Sequence, residues 1–141
     1  QYLADTSFVE RSIIGEGATI CGKVYNSVIG CGVTIGKDTV VRDSIIMNNT
    51  VISENCELNK AIIAENVVVG DEVRLGIGEE AENVKFPKIY NSGLVTVGEW
   101  SVIPDNVKVG KNTAISGETT LQDYPNGELP GGGIIIKAGD N

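Results

Sequence analysis

Aliphatic residues recur along this chain at intervals of six. In VTVGEWSVIPDNVKVGKNTAISGE, residues 95–118, they fall at Val97, Ile103, Val109 and Ile115. A helix rotates about 100° per residue and a strand alternates every second residue, so neither element alone has this period. Upstream, the same spacing links Ile14 and Ile20; Ile29, Ile35 and Val41; Ile46, Ile52 and Leu58; and Ile63, Val69 and Leu75, with a step of five where a new triplet begins. Ile29, Ile46 and Ile63 are therefore 17 apart, as are Ile35, Ile52 and Val69. Three hexads make one lap.

Four residues after most of these aliphatics stands a second small or branched residue, such as Ala18, Val24, Thr39, Thr50 or Cys56. Each hexad thus sends two side chains inward. Just before this second position come Gly17, Gly32, Asp38, Asn49, Asn55, Asn66, Asn106 and Asn112. Gly and Asn adopt positive φ at least cost, so each hexad is one short strand plus one bend. Three strands and three bends per lap describe a triangular solenoid whose strands stack at about 4.8 Å. A sandwich of short strands would instead alternate every two residues, with turns every ~8–12.

The ladder breaks between Leu75 and Val97 in a stretch rich in Gly, Glu, Lys and Asn that contains Pro87, which reads as a loop ejected from a corner over 76–96. Tyr2 and Phe8 continue the sixfold spacing back from Ile14, so the solenoid is expected over 1–121. Residues 122–141 form a tail that caps its C-terminal end, with Ile134 to Ile136 as a last strand. The fold class is all-β: a parallel β-helix of about 5–6 coils with one inserted loop.

Composition narrows the chemistry. Only seven of 141 residues are aromatic, so the core is aliphatic, and the 18 glycines belong to turns. A net charge of −8 opposes nucleic acid and anionic membranes as partners, and no apolar run is long enough to span a bilayer. Cys21, Cys31 and Cys56 are odd in number and have no His partner, which favours reduced thiols and a cytoplasmic location. Gln1 resembles a cut end, so a further domain is expected before it.

The chain has no histidine, which excludes a His general base and a three-His metal site. The GxG elements at Gly15, Gly30 and Gly76 sit at bends and open no helix, unlike a phosphate loop. Glu79, Glu80 and Glu82 read as a solvated loop. No catalytic, cofactor-binding or metal-binding residue is expected in this segment. One surface is less bland. If Ile14, Ile29, Ile46 and Ile63 point inward, then Ile13, Val28, Ile45 and Ile62 point outward in a continuous apolar stripe. Such a stripe predicts a packed domain or subunit. Trp100 stands outward at a corner and joins it as a candidate contact.

The hexads IGEGAT, IGKDTV and VGKNTA resemble the hexapeptide repeat, which implies the fold of a single-stranded left-handed parallel β-helix. The longer runs SFVERSIIGEGATICGKVYNSVIGCGVTIGKDTVVRDSIIMNNTVISENCELNKAIIAENVVVG and KFPKIYNSGLVTVGEWSVIPDNVKVGKNTAISG resemble the C-terminal β-helix of bacterial ADP-glucose pyrophosphorylases, over nearly the whole chain. The resemblance implies a parent enzyme that makes ADP-glucose and pyrophosphate from ATP and glucose 1-phosphate with Mg²⁺, in glycogen or related glucan synthesis. Its catalytic residues lie in an N-terminal domain absent from these residues. It further implies a homo-oligomer, a tetramer in the family, and regulation by metabolites near the domain junction. Arg11, Lys60, Lys85 and Lys88 are the candidate cations for an anionic effector. The equivalent domain of another sugar-1-phosphate nucleotidyltransferase, or a purely structural β-helix, are the alternatives.

Overall fold

The computed structural model describes residues 1–137. Among them the strands form three parallel sheets of six, seven and seven strands, with successive strands of the chain passing from one sheet to the next. The sheets are the walls of a triangular column. Wall A runs from Tyr2–Leu3 to Val102–Ile103, wall B from Phe8–Glu10 to Glu128–Leu129, and wall C from Ile13–Ile14 to Ile134–Ile136. Ile29 lies over Ile46, Ile46 over Ile63 and Ile63 over Val97 in wall C, while Ile35, Ile52 and Val69 stack in wall A. These columns are buried and make up the core.

The eight Gly, Asp and Asn residues assigned to bends all have positive φ, from 57° at Asn55 to 72° at Gly17. The third corner, between walls B and C, bends the same way at Arg11, Asn26, Asp43 and Lys60, where φ is 48–53°. Side chains supply hydrogen bonds the corners would otherwise lack. The Ser27 hydroxyl donates to the Tyr25 carbonyl and accepts the Ser44 N–H, and the Ser44 hydroxyl repeats this with Arg42 and Ala61. Thr50 does the same at the next corner, donating to the Ala64 carbonyl and accepting the Val67 N–H. A buried backbone group left unpaired costs about 1–3 kcal/mol, which explains polar residues in inward slots of an aliphatic column.

Three expectations need correction. The inward residues of the first rung are Leu3 and Val9, paired with Ile20 and Val24, whereas Tyr2 and Phe8 point out and are exposed. Leu3, Val9 and Ile14 keep the spacing of six then five, so Tyr2 and Phe8 are one residue out of register. Val24 is the central residue of a strand rather than a second inward position, because only Cys21 and Gly22 separate two strands there. The coils number seven on walls B and C, not 5–6. The extra ones are the rung at Leu3 and the rung that the tail adds through Leu129 and Ile135, which pair with Val109 and Ile115.

The two ends differ. At the C-terminal end wall A has one strand fewer, and after a bridge from Val102 to Glu118 two short 3₁₀ turns at Leu121–Asp123 and Pro125–Gly127 take its place. Tyr124 lies buried between them, its hydroxyl 2.9 Å from that of Thr119. Burial raises its pKa. The Asp123 carboxylate accepts the Thr120 N–H at 2.8 Å and the Lys137 ammonium at 2.9 Å, and these bonds, the backbone one foremost, lower its pKa. The expected tail at 122–141 is thus described to Lys137; 138–141 lie outside the described residues. At the N-terminal end the inward Leu3 is 46% exposed and Val9 and Ile14 are half-buried.

Because the Asp123 pKa is depressed, its contribution is complete above the unfolded aspartate value of about 3.9 and is lost as pH falls through the folded value. Acidification from pH about 5 should therefore lower the protection of the Tyr124 and Lys137 amides, measured against their intrinsic exchange rate at each pH, before the core columns respond. Asp123→Asn should remove that protection at every pH; protection retained in the variant would show that the carboxylate does not hold these turns.

Candidate functional site

Wall C carries the outward column predicted from sequence. Ile13 pairs with Val28, Val28 with Ile45 and Ile45 with Ile62, and the column continues through Thr96 and Ala114 to Ile134. Its upper part is open: Ile13 is 69% and Ile45 42% exposed, and Val28 is similar. From Ile62 downward the column is half-buried or buried. The exposed apolar surface is therefore concentrated on the first three rungs.

The inserted loop leaves the column after Arg74–Ile77 and returns at Val95–Val97. Two buried asparagines fasten it to the corner between walls B and C. Asn83 donates to the Asn112 carbonyl at 2.9 Å, and its side-chain oxygen accepts the N–H groups of Lys85 and Phe86. Asn112 donates to the Ala81 carbonyl and accepts the Gly93 N–H. Val84 N–H reaches the Gly132 carbonyl and Val95 N–H the Lys60 carbonyl. Held at both ends, the loop presents Val84, Phe86 and Ile89 to solvent, with Lys85 and Lys88 between them. Phe86 and Tyr90 stack edge to face at 6.1 Å.

The apolar tip was missed in the sequence because the loop's polar flanks and Pro87 dominate its composition. The alternation in VKFPKIY is the signal that could have revealed it.

Trp100 sits at the corner between walls C and A with φ 62° and 65% exposure. Its N–H donates to the Glu65 carbonyl at 3.1 Å, in the corner ladder otherwise built by Asn and Gly. A bulky residue in this conformation costs about 1–2 kcal/mol relative to glycine, so a large exposed indole is kept here against local preference.

The candidate cations are not gathered. Arg11 and Lys60 share a corner but are three rungs apart, about 14 Å at the spacing of stacked strands, with Asn26 and Asp43 between them. Arg11 lies 4.0 Å from Glu10. Lys85 and Lys88 are on the loop, and the open cleft of about 270 Å³ between loop and column is lined by Glu80, Glu82 and Tyr90. Two carboxylates there disfavour an anion. Among the described residues no three His, Cys, Asp or Glu side chains are grouped as metal ligands. Cys56 is buried in an inward slot, and burial raises its pKa, which keeps the thiol protonated and inert. No helix among the described residues is long and apolar enough to cross a membrane.

A triangular column of stacked hexads with an asparagine-pinned loop defines a hexapeptide-repeat β-solenoid. Residues 4–97 match the model of the GlmU-like, C-terminal hexapeptide family, and the chain belongs to that family. It is 74% identical, over its whole length, to a glucose-1-phosphate adenylyltransferase of Lachnospira eligens, of which it covers 33%. The enzymes of that name from Acetivibrio thermocellus and Thermotoga maritima are 40% and 47% identical, over 99% and 96% of this chain and 33% and 32% of their own. The chain thus spans about a third of the length of these relatives. A putative acetyltransferase of Bacillus cereus shares 16% identity at a TM-score of 0.35, covering 99% of this chain and 74% of its own.

Proposed function

We propose that this chain is the assembly and regulatory β-helix of a glucose-1-phosphate adenylyltransferase, silent in catalysis by itself. The 74% identity across every residue to an enzyme of that name carries the reading. The parent protein joins ATP and glucose 1-phosphate into ADP-glucose and pyrophosphate in the cytoplasm. Mg²⁺ belongs to the remainder of the parent. The open rung at Leu3, Val9 and Ile14 is where we place that remaining chain. The apolar stripe and Trp100 are the surfaces for assembly, and regulation by an anionic metabolite is assigned to the junction with the remaining chain.

The parent should release pyrophosphate from ATP with glucose 1-phosphate, while residues 1–141 alone release none. Turnover of a different sugar 1-phosphate in preference to glucose 1-phosphate would overturn the substrate assignment. Pyrophosphate release by the segment alone would overturn its catalytic silence.

A further inference from the structure

The inserted loop and the C-terminal tail are distant in sequence but bonded in space. The loop leaves wall B at Arg74–Ile77, and the strands stacked below that one are Lys108–Gly110 and then Glu128–Leu129, which the tail supplies. From its root the loop descends over the corner at Lys111 and Asn112 and reaches the corner at Pro130 to Gly133, so it crosses both rungs below its own.

The buried Asn83 and Asn112 tie these segments together. Asn112 donates to the Ala81 carbonyl at 3.0 Å and accepts the Gly93 N–H at 2.8 Å, one bond to each arm of the loop. Asn83 donates to the Asn112 carbonyl at 2.9 Å and reaches the Gly133 carbonyl of the tail at 3.5 Å. Beside them the Val84 N–H donates to the Gly132 carbonyl at 2.9 Å, and the Gly132 N–H to the Lys111 carbonyl at 2.8 Å. The glycine run of the tail is the floor on which the loop lies: a Cβ on Gly132, whose φ is 80°, would strike the Glu82 carbonyl.

The last coil depends on such a fastening. Its strands Glu128–Leu129 and Ile134–Ile136 pair with the rung above and, among the described residues, with none below. Its two ends are joined by the Asp123–Lys137 pair. The loop tip depends on the tail in turn, because the Val84 N–H is bonded to Gly132 and the N–H groups of Lys85 and Phe86 are held by Asn83.

We propose that the loop is a strap: residues 79–93 and the last coil, 122–137, open and close as one unit apart from the rungs above, and the apolar tip is held in place only while that coil is docked. An ordinary surface loop tolerates change with little effect on the elements around it. A strap couples both ways, so loosening the tail frees the loop and loosening the loop frees the tail to the same extent. The device does not depend on the substrate of the parent.

Hydrogen exchange of the parent protein at constant pH, read peptide by peptide, tests the coupling. Asn83→Ala, in the loop, should speed exchange about tenfold or more at Gly132 and Lys137 as well as at Val84 and Gly93. Gly132→Ala should do the same from the tail, and Asp123→Asn, which bonds to no loop residue, should speed Val84 and Gly93 along with Tyr124. Peptides spanning Ile29 to Val69 should keep their rates in all three variants. Tail exchange unchanged in Asn83→Ala, or loop exchange unchanged in Asp123→Asn, would overturn the coupling. Equal acceleration through Ile29 to Val69 would overturn the separate unit.

Discussion

Replacing Ile46 with alanine should lower stability by about 2–5 kcal/mol, whereas the same change at the adjacent Ile45 should cost less than about 1 kcal/mol. The two residues are identical, neighbouring and on one strand, so propensity and local sequence cancel between them. What differs is direction. Ile46 is 1% exposed and lies between Ile29 and Ile63 in the core column, whose rungs above and below are fixed by backbone hydrogen bonds and cannot collapse into a cavity. Ile45 loses little contact in a single copy. Urea unfolding of the two variants, compared at equal slope, measures the gap. Equal losses would mean that the column does not carry the stability of the fold.

How far the fold could be read from the sequence follows from this geometry. A solenoid repeats its environment every lap, so a side chain's position in the hexad fixes its direction, and the columns through Ile29, Ile46 and Ile63 were legible from spacing alone. The bends were legible because left-handed backbone restricts residue type. Errors arose where the repeat is irregular. The first lap is 15 residues from Ile14 to Ile29, shortened at Cys21-Gly22, where a Cβ on Gly22 would run into the Thr39 carbonyl of the next rung. That shortening disguised Val24, whereas counting back by six from Ile14 overlooked the step of five that the other laps also take between walls B and C, and so selected Tyr2 and Phe8 instead of Leu3 and Val9. Arg11 and Lys60 hid the third left-handed corner because neither is a residue that favours it.

Of the exposed apolar surface, the column was legible and the loop was not. The column inherits its direction from the period, but Asn83 and Asn112 are 29 residues apart and nothing local says that they lock a loop against one corner. Nor does spacing reveal that Lys85 and Lys88 stand on the loop, rungs away from Arg11.

Gly76→Ala should destabilise the chain by about 2–5 kcal/mol, and Gly78→Ala, two residues on, by about 1–2 kcal/mol. Both glycines have left-handed backbone, with φ 83° and 79°, so alanine incurs the same conformational strain at either. Their surroundings differ. A Cβ at Gly76 would enter the van der Waals shell of the Asn59 carbonyl on the rung above, whereas nothing lies within 4 Å at Gly78. The Asn59 carbonyl belongs to a wall B strand paired on both sides, so it yields only if the rungs separate, and the register already shifts between Leu75 and Ile77 to let the chain leave the column. The additional loss at Gly76 therefore measures how rigidly stacked rungs hold their spacing. Denaturation midpoints of the two variants give it directly. Equal midpoints would mean that the column opens to admit a methyl group at no cost, and a stack that loose could not hold the loop root in place.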